Sequence, residues 1–324
     1  MEKQKQVQEV LEYLEAGTYY WDDTQRVLFK QDQRQQTLVK NLAVNKPLSL
    51  EIEPVQDQKF AGNRLWFCSN GDLKIFSDTQ VLSVCSSREN YGQKIAAYDY
   101  FSQFFRLPKL LARDDAQQQL LEERITFADQ TVVDACGLLA TIYTDYINYF
   151  RQAEVKWYTL AGLLATSANR VYRAEFEQLI AEIPAELLAA EWPYLKLHGD
   201  LWTENLLLEK DSQQLYYIDW DESGEYLFFY DFFKLMWNEL DVHQNYSYYE
   251  NYLAGRFDAQ LAAVFDLFQL EFQPAAKKAY FYLFFLNFLL DETGSMSYEV
   301  RRFEWKDFRE KVLCNVFEEV DHDC

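Results

Sequence analysis

A change of texture between residues 122 and 130 constrains this chain more than any other feature. Before it, short apolar runs alternate with turn residues. Arg64–Cys68, Leu73–Phe76 and Val81–Cys85 read as strands, and Asn70-Gly71 is a strong hairpin turn between the first two. A helix over about Tyr91 to Phe105 follows, opened by Ser87-Arg88-Glu89-Asn90 and stopped by Pro108. Leu110–Leu111 and Leu120–Glu122 then pair around Arg113-Asp114-Asp115. After Ile125, breakers become rare. Thr131 to Phe150 and Glu154 to Ile183 read as long helical stretches, Pro184 and Pro193 bracket a short helix, and Phe228 to Glu319 is helical and rich in Phe and Tyr. With only 10 Gly and 6 Pro in 324 residues, few tight turns are available to interrupt those helices.

The pattern predicts an α+β chain in two lobes. A small β-rich N-lobe spans 61–125 and a larger helical C-lobe spans 126–324. Residues 1–60 form an N-terminal extension with no assigned role. Within it, Gln4 to Glu15 has a helical face of Val7, Val10, Leu11 and Leu14; Val27–Phe29 and Thr37–Val39 are strand candidates, and Lys46-Pro47 marks a break. The length also exceeds what one hydrophobic core usually serves.

Charge removes several function classes. Thirty-one Lys and Arg against 52 Asp and Glu give a formal charge of −21. A nucleic-acid binder needs a basic field to displace phosphate counterions, and docking on anionic lipid needs one too. The most apolar run, Ala279 to Leu290, is shorter than the about 20 residues of a membrane span and reads as a buried core helix. Met1 to Val10 does not resemble a secretory signal, and the five scattered cysteines make no C-x-x-C pair. The expectation is a reduced, cytoplasmic protein.

The chemistry concentrates in His198-Gly199-Asp200-Leu201-Trp202-Thr203-Glu204-Asn205 and Ile218-Asp219-Trp220-Asp221. Asp200 lies in a loop after the short segment Tyr194–Leu197. Asn205 starts a strand, Leu206–Glu209, and Asp219 lies in the returning strand, Leu215–Trp220, beyond the turn Lys210-Asp211-Ser212. A hairpin brings its ends together, so two carboxylates and an amide oxygen converge. Hard oxygen donors of this kind suit Mg²⁺ bound together with substrate phosphates. The remaining carboxylate can orient or deprotonate a hydroxyl.

H-G-D-x-x-x-x-N followed by I-D-W resembles the aminoglycoside phosphotransferase and choline kinase family, within the protein-kinase-like fold. Tyr230-Asp231 stands where that group often carries a Tyr-Asp pair at a helix start, twelve residues past Asp219, and Gly224 stands where its loop usually has glycine. The stretch His198–Trp202 further resembles fructosamine kinases. The resemblance implies a small-molecule O-phosphotransferase using ATP and Mg²⁺. It implies Asp200 as catalytic base, Asn205 and Asp219 as metal ligands, His198 as a loop support, Asp231 as a structural tie, and Asp221 as an accessory acid.

One element of that pattern is missing. The family draws a lysine from the third strand toward the nucleotide phosphates, and here that position is Ser83. Lys74, on the preceding strand, or Lys94, on the following helix, could supply the charge; the plainer reading of each is a solvated surface lysine. Glu122-Glu123-Arg124-Ile125 sits where a hinge strand would pass, which makes the backbone of Glu123 and Ile125 the candidate adenine edge. No glycine-rich loop is present; Asn70-Gly71-Asp72 is the available hairpin tip. The departure at Ser83 keeps a second possibility open, a non-catalytic nucleotide-binding module. Asp221 to Asp231 is too short to present a peptide platform. His243 falls in a polar connector and reads as exposed. Glu239 and Asp241 suggest a negative acceptor pocket. Tyr246, Tyr248, Tyr249 and Tyr252 read mostly as core, and Asp321–Cys324 as a frayed end.

Overall fold

The computed structural model describes residues 10–22, 26–31, 48–127, 135–166, 176–290 and 298–313. Two compact units emerge, residues 1–96 with 107–127 and residues 97–106 with 128–324. The expected class, a mixed α+β chain with an antiparallel N-terminal sheet followed by many helices, is what forms.

The first unit is built on β1 (Gly17–Asp22), β2 (Val27–Lys30), β3 (Leu48–Ile52), β4 (Arg64–Phe67), β5 (Leu73–Phe76), β6 (Gln80–Val84), β7 (Leu110–Asp114) and β8 (Gln119–Glu123). They form one sheet in the order β3-β1-β2-β4-β5-β6-β8-β7, antiparallel throughout. Strands from residues 17–52 thus continue the same sheet rather than standing apart. Helix α1 (Arg88–Phe101) follows β6, and its last turn, from Ala97, belongs to the second unit.

Alternation along the strands sorts the sheet into two faces. Leu65, Ile75 and Leu82 lie on one, in a core with Tyr13, Leu14, Tyr19 and Leu28. On the other, Leu120 packs with Cys85, Tyr91 and Ile95 beneath the start of α1.

Three local expectations are corrected in this part of the chain. Among the described residues, the N-terminal helical pattern yields only a short turn, Leu11–Tyr13, because Gly17 already opens a strand; Val7 and the Thr37–Val39 candidate lie outside the described residues. The turn between β7 and β8 falls after Asp114, where Gln118 takes a positive φ of 57°, rather than at residues 113–115. Lys94 is not a solvated surface lysine. It is 10% exposed and lies 3.6 Å from Asp72 Oδ2.

Asp72 is the polar node of this unit. Its Oδ1 accepts from Ser86 N (2.8 Å), Ser86 Oγ (2.9 Å) and Asn90 Nδ2 (3.0 Å), so the hairpin tip is tied to the start of α1. Burial alone would raise its pKa. The hydrogen bonds from Ser86 and Asn90, with Lys94, outweigh that and hold it below 3.8.

The second unit holds α2 (Ala135–Phe150), β9 (Lys156–Thr159), α3 (Leu160–Leu164), α4 (Glu177–Ala181), α5 (Ala185–Ala189), β10 (Glu191–Leu197), β11 (Leu206–Leu208), β12 (Leu215–Tyr217) and β13 (Gly224–Leu227). Helices α6 (Tyr230–Asp241), α7 (Ser247–Leu253), α8 (Asp258–Leu267), α9 (Lys277–Leu290) and α10 (Tyr298–Phe308) complete it. The expected long helix over 154–183 is broken. Lys156–Thr159 pairs with β10, and Thr159 Oγ1 then caps α3 by accepting from Gly162 N. A β-branched and aromatic run next to an available strand edge wins over the apolar period.

Two small sheets carry the chemistry: β13-β10-β9 and the hairpin β11-β12. Beneath them, α9 is buried at every position from Ala279 to Leu290, as a helix apolar all round must be. Tyr248, Tyr249 and Tyr252 are buried as expected. Among the described residues, no helix is long and apolar enough to cross a membrane.

Replacing Asp72 by alanine leaves Ser86 N without its acceptor and takes a carboxylate from beside Lys94, while Ser86 Oγ and Asn90 Nδ2 keep Asn70 O and Ser86 Oγ as partners. The expected cost is about 1–3 kcal/mol near neutral pH. Because the folded pKa lies below 3.8, the contribution is complete above that value and is lost as pH falls through the folded one. Urea unfolding of wild type and Asp72→Ala at pH 7 and at successively lower pH should show the gap closing in acid.

Candidate active site

The site begins where β10 ends. Leu197 leaves the sheet opposite Gly224, and the chain turns through His198 and Gly199 to Asp200. Gly199 has φ +83°, and a Cβ there would stand 2.1 Å from the Glu222 carbonyl oxygen and 2.8 Å from the Tyr226 ring. The turn therefore needs glycine for both its backbone angle and its space.

Asp231, at the start of α6, fixes this turn. Its Oδ2 accepts from His198 N (2.8 Å) and the Tyr146 hydroxyl (2.7 Å), and its Oδ1 accepts from Gly199 N (2.9 Å). Burial raises its pKa, opposed by these three donors. His198 is wholly buried. Its Nε2–H donates to the Ile218 carbonyl (2.8 Å) while Nδ1 accepts from Asp200 N (3.3 Å). Those two contacts bind the turn to Ile218, the residue before Asp219. Trp220 lies over the imidazole at 4.5 Å and stacks on Phe101 at 3.8 Å.

Asp200 is 33% exposed at its side chain. Asn205 donates to its carbonyl oxygen (2.8 Å) and to Oδ2 (3.4 Å). Asn238 Nδ2 donates to Oδ1 (3.3 Å), and Lys234 Nζ lies 3.8 Å from the same oxygen. Ile218 N donates to the Asn205 carbonyl (3.0 Å), one step beyond the Leu206–Tyr217 pair, so Asp219 emerges beside Asn205. Asp219 is exposed and holds φ 65°, ψ 56°, a left-handed conformation that aspartate tolerates better than most residues. Asp221 follows in the turn Trp220–Glu222.

The structure thus brings His198, Asp200, Asn205, Asp219 and Asp231 together in one unit. The amide nitrogen of Asn205 is committed to Asp200, which leaves its Oδ1 as the atom a cation can take. Among the described residues, no three His, Cys, Asp or Glu side chains gather as a metal site. Any cation here needs additional oxygens from elsewhere. That is how Mg²⁺ is ordinarily held, with one or two carboxylates, water and substrate phosphates.

Lys74, Glu123 and Ile125 lie in the other unit. Lys74 sits directly opposite Ser83 in the β5–β6 register, on the same face of the sheet. Ser83 itself is buried. The amide hydrogens of Glu123 and Arg124 are already donated to the carbonyls of Lys109 (2.9 Å) and Thr79 (2.8 Å), and Ile125 is buried.

Beside the Asp200 loop, Glu239 and Asp241 do not offer the free negative charge that their sequence suggests. Glu239 is buried and accepts from the Thr203 hydroxyl, with His243 Nδ1 at 3.2 Å and Asn245 Nδ2 at 3.4 Å. Asp241 pairs with Lys311 at 2.5 Å. His243 is exposed, as expected, yet its Nε2 lies 3.3 Å from Glu204 Oε1 and its ring stacks on Trp202 at 5.5 Å. Desolvation lowers its pKa, but Glu239 and Glu204 prevail and raise it above 6.5.

Residues the motif does not contain complete the site: Tyr146, Lys234, Asn238 and Glu304. A signal for two of them is present in the sequence. Asp231, Lys234 and Asn238 are spaced three and four apart, on one face of α6.

Comparison with known proteins bears out the resemblance. Residues 133–268 match the phosphotransferase enzyme family (APH). No curated protein matches the chain. Among solved structures, a choline/ethanolamine kinase family protein from Mesorhizobium loti is 15% identical, with TM-score 0.41, covering 75% of this chain and 86% of its own. An aminoglycoside phosphotransferase from Streptomyces rimosus is 14% identical, with TM-score 0.42, covering 68% and 90%. A glucosamine kinase in complex with glucosamine, ADP and inorganic phosphate is 13% identical, with TM-score 0.44, covering 77% and 81%.

Two outcomes follow from the geometry. Gly199→Ala should cost about 2 kcal/mol or more, read as a fall in the urea midpoint, because backbone on the Glu222 side must move. The His243 imidazole should titrate above 6.5 by NMR, and Glu239→Gln should bring it down, since the nearer carboxylate is removed.

Proposed function

We propose that the chain, whose residues 133–268 carry the phosphotransferase family sequence, transfers the γ-phosphoryl group of MgATP to a hydroxyl of a small molecule. The single observation behind this reading is the Asp200 carboxylate. It is partly exposed, yet its two oxygens are held by Asn205, Asn238 and Lys234. A carboxylate that is open to solvent but fixed in orientation suits alignment of an acceptor hydroxyl and receipt of its proton.

In this reading Asn205 Oδ1 and the Asp219 carboxylate hold Mg²⁺. The ion, when bound, offsets the charge of the triphosphate. Asp200 orients the acceptor oxygen for in-line attack, the bond to the β–γ bridging oxygen breaks, and ADP leaves. His198 and Asp231 keep the loop in place without touching substrate, and Asp221 contributes additional negative charge near the cation. Lys74, opposite Ser83, supplies the phosphate contact from the adjacent strand. Ile125 and the carbonyl of Glu123 meet the adenine edge, because the Glu123 N–H is committed within the sheet. The acceptor class is a sugar, amino sugar or amino alcohol, and the setting is cytoplasmic, where MgATP is available.

A second reading rests on Ser83. A buried hydroxyl where a phosphate-binding lysine is expected would suit a regulatory module that binds nucleotide without turnover.

The test separates them. Asp200→Asn should lower acceptor-dependent ADP release by about 10²–10⁴-fold while the MgATP dissociation constant stays within about twofold. Lys74→Ala should weaken MgATP binding instead. Turnover that survives in Asp200→Asn would remove the proposed role of that residue. Nucleotide binding without ADP release in wild type, across sugars, amino sugars and amino alcohols, would favour the regulatory reading.

A further inference from the structure

Lys234 stands out because burial of a lysine is costly and the motif does not ask for it. It lies in the middle of α6, 2% exposed, with its side chain over the Phe288 ring at 4.8 Å. Its Nζ lies between two carboxylates, 3.8 Å from Asp200 Oδ1 and 3.9 Å from Glu304 Oε2. Glu304 is held in turn by Trp237 Nε1–H at 2.9 Å. A well-packed apolar side chain would fill such a position at lower cost, so stability alone does not account for a lysine there.

We propose that Lys234 is a positioning residue for Asp200, anchored by Glu304 on α10. The inference rests on the phosphotransfer reading above and deepens it. Asp200 carries its carboxylate on a loop. A loop carboxylate has two rotatable side-chain bonds, and its oxygens are useful only when one of them faces the acceptor hydroxyl. Asn238 and Lys234, one turn apart on α6, both engage Oδ1. That leaves Oδ2, toward Asn205, as the oxygen presented to the acceptor. The same helix begins with Asp231, which holds the loop backbone. One face of α6 therefore sets both the path of the loop and the orientation of its carboxylate. Through Glu304, the position of Lys234 also depends on α10, an element far along the chain from the motif.

Two variants distinguish positioning from simple charge balance. Lys234→Met keeps length and volume but removes the charge, leaving Glu304 without its counter-ion. Lys234→Met with Glu304→Gln removes both charges, so the anchor is no longer stranded. The readouts are ADP release from MgATP with the most effective of water, sugars, amino sugars and amino alcohols as acceptor, the MgATP dissociation constant by calorimetry, and the thermal midpoint.

Lys234→Met should lower kcat by about 100-fold, with KM and the dissociation constant for MgATP within about twofold. The double variant should regain the thermal midpoint and keep the low kcat. Recovery of kcat in the double variant to within about threefold of wild type would overturn the proposal, because Lys234 would then serve only to neutralise Glu304. So would a loss confined to MgATP affinity. Wild-type protein that releases no ADP with any acceptor, water included, overturns the phosphotransfer reading itself and this inference with it. Wild-type turnover matched by Lys234→Met overturns this inference alone.

Discussion

The candidate site depends on one buried carboxylate. Asp231 receives two main-chain N–H groups of the turn at His198 and Gly199 and the hydroxyl of Tyr146. An ionised carboxylate with no partners would be very costly at that depth; three donors offset the loss of water. The arrangement joins α2, the end of β10 and the start of α6 at a point. Everything downstream inherits that geometry. The turn presents Asp200, Asn205 fastens to Asp200, and the hairpin it opens returns with Asp219 beside it.

Aromatic packing makes the node rigid. Trp220 lies between the Phe101 ring and the His198 imidazole, and Tyr226 stacks on Tyr230 at 4.2 Å where the chain enters α6. Below, α9 fills the unit with side chains on every face, and its Asn287 Oδ1 accepts from Leu227 N at 3.0 Å to satisfy the end of β13. Flat rings limit the number of rotamers, so the polar atoms of the site are held in a matrix with little room to rearrange. The strain of a left-handed Asp219 can be held in such surroundings.

Much of this was legible in the sequence, for physical reasons that differ by residue. The mixed α+β class could be read because strand alternation and long apolar helices leave different periods in the chain. The convergence of Asp200, Asn205 and Asp219 could be read because a hairpin brings the two ends of its strands together. The break at Lys156–Thr159 could not, since pairing with β10 is a tertiary event that overrides local helical pattern. Nor could the fate of Lys94, whose pairing with Asp72 depends on where α1 starts relative to the hairpin tip. Lys234 and Asn238 were half legible. Their spacing from Asp231 marks a shared face, but nothing local says that the face points to Asp200. Glu304 left no signal at all, because it reaches the site from α10 by packing alone. Charge at Asp241 misled for the same reason, since Lys311 is remote in sequence, and charge at Glu239 misled because Thr203, His243 and Asn245 close around it only in the fold.

The central claim is that Asn205 and Asp219 hold a divalent cation together with nucleotide phosphates, beside a carboxylate poised for a hydroxyl. Calorimetric titration of ATP into wild type and Asp219→Ala, with and without Mg²⁺, tests it most directly. The account predicts binding that requires Mg²⁺ in wild type and is lost in the variant, with thermal stability of the variant otherwise retained. Equal binding in both proteins, or binding indifferent to Mg²⁺, would contradict it.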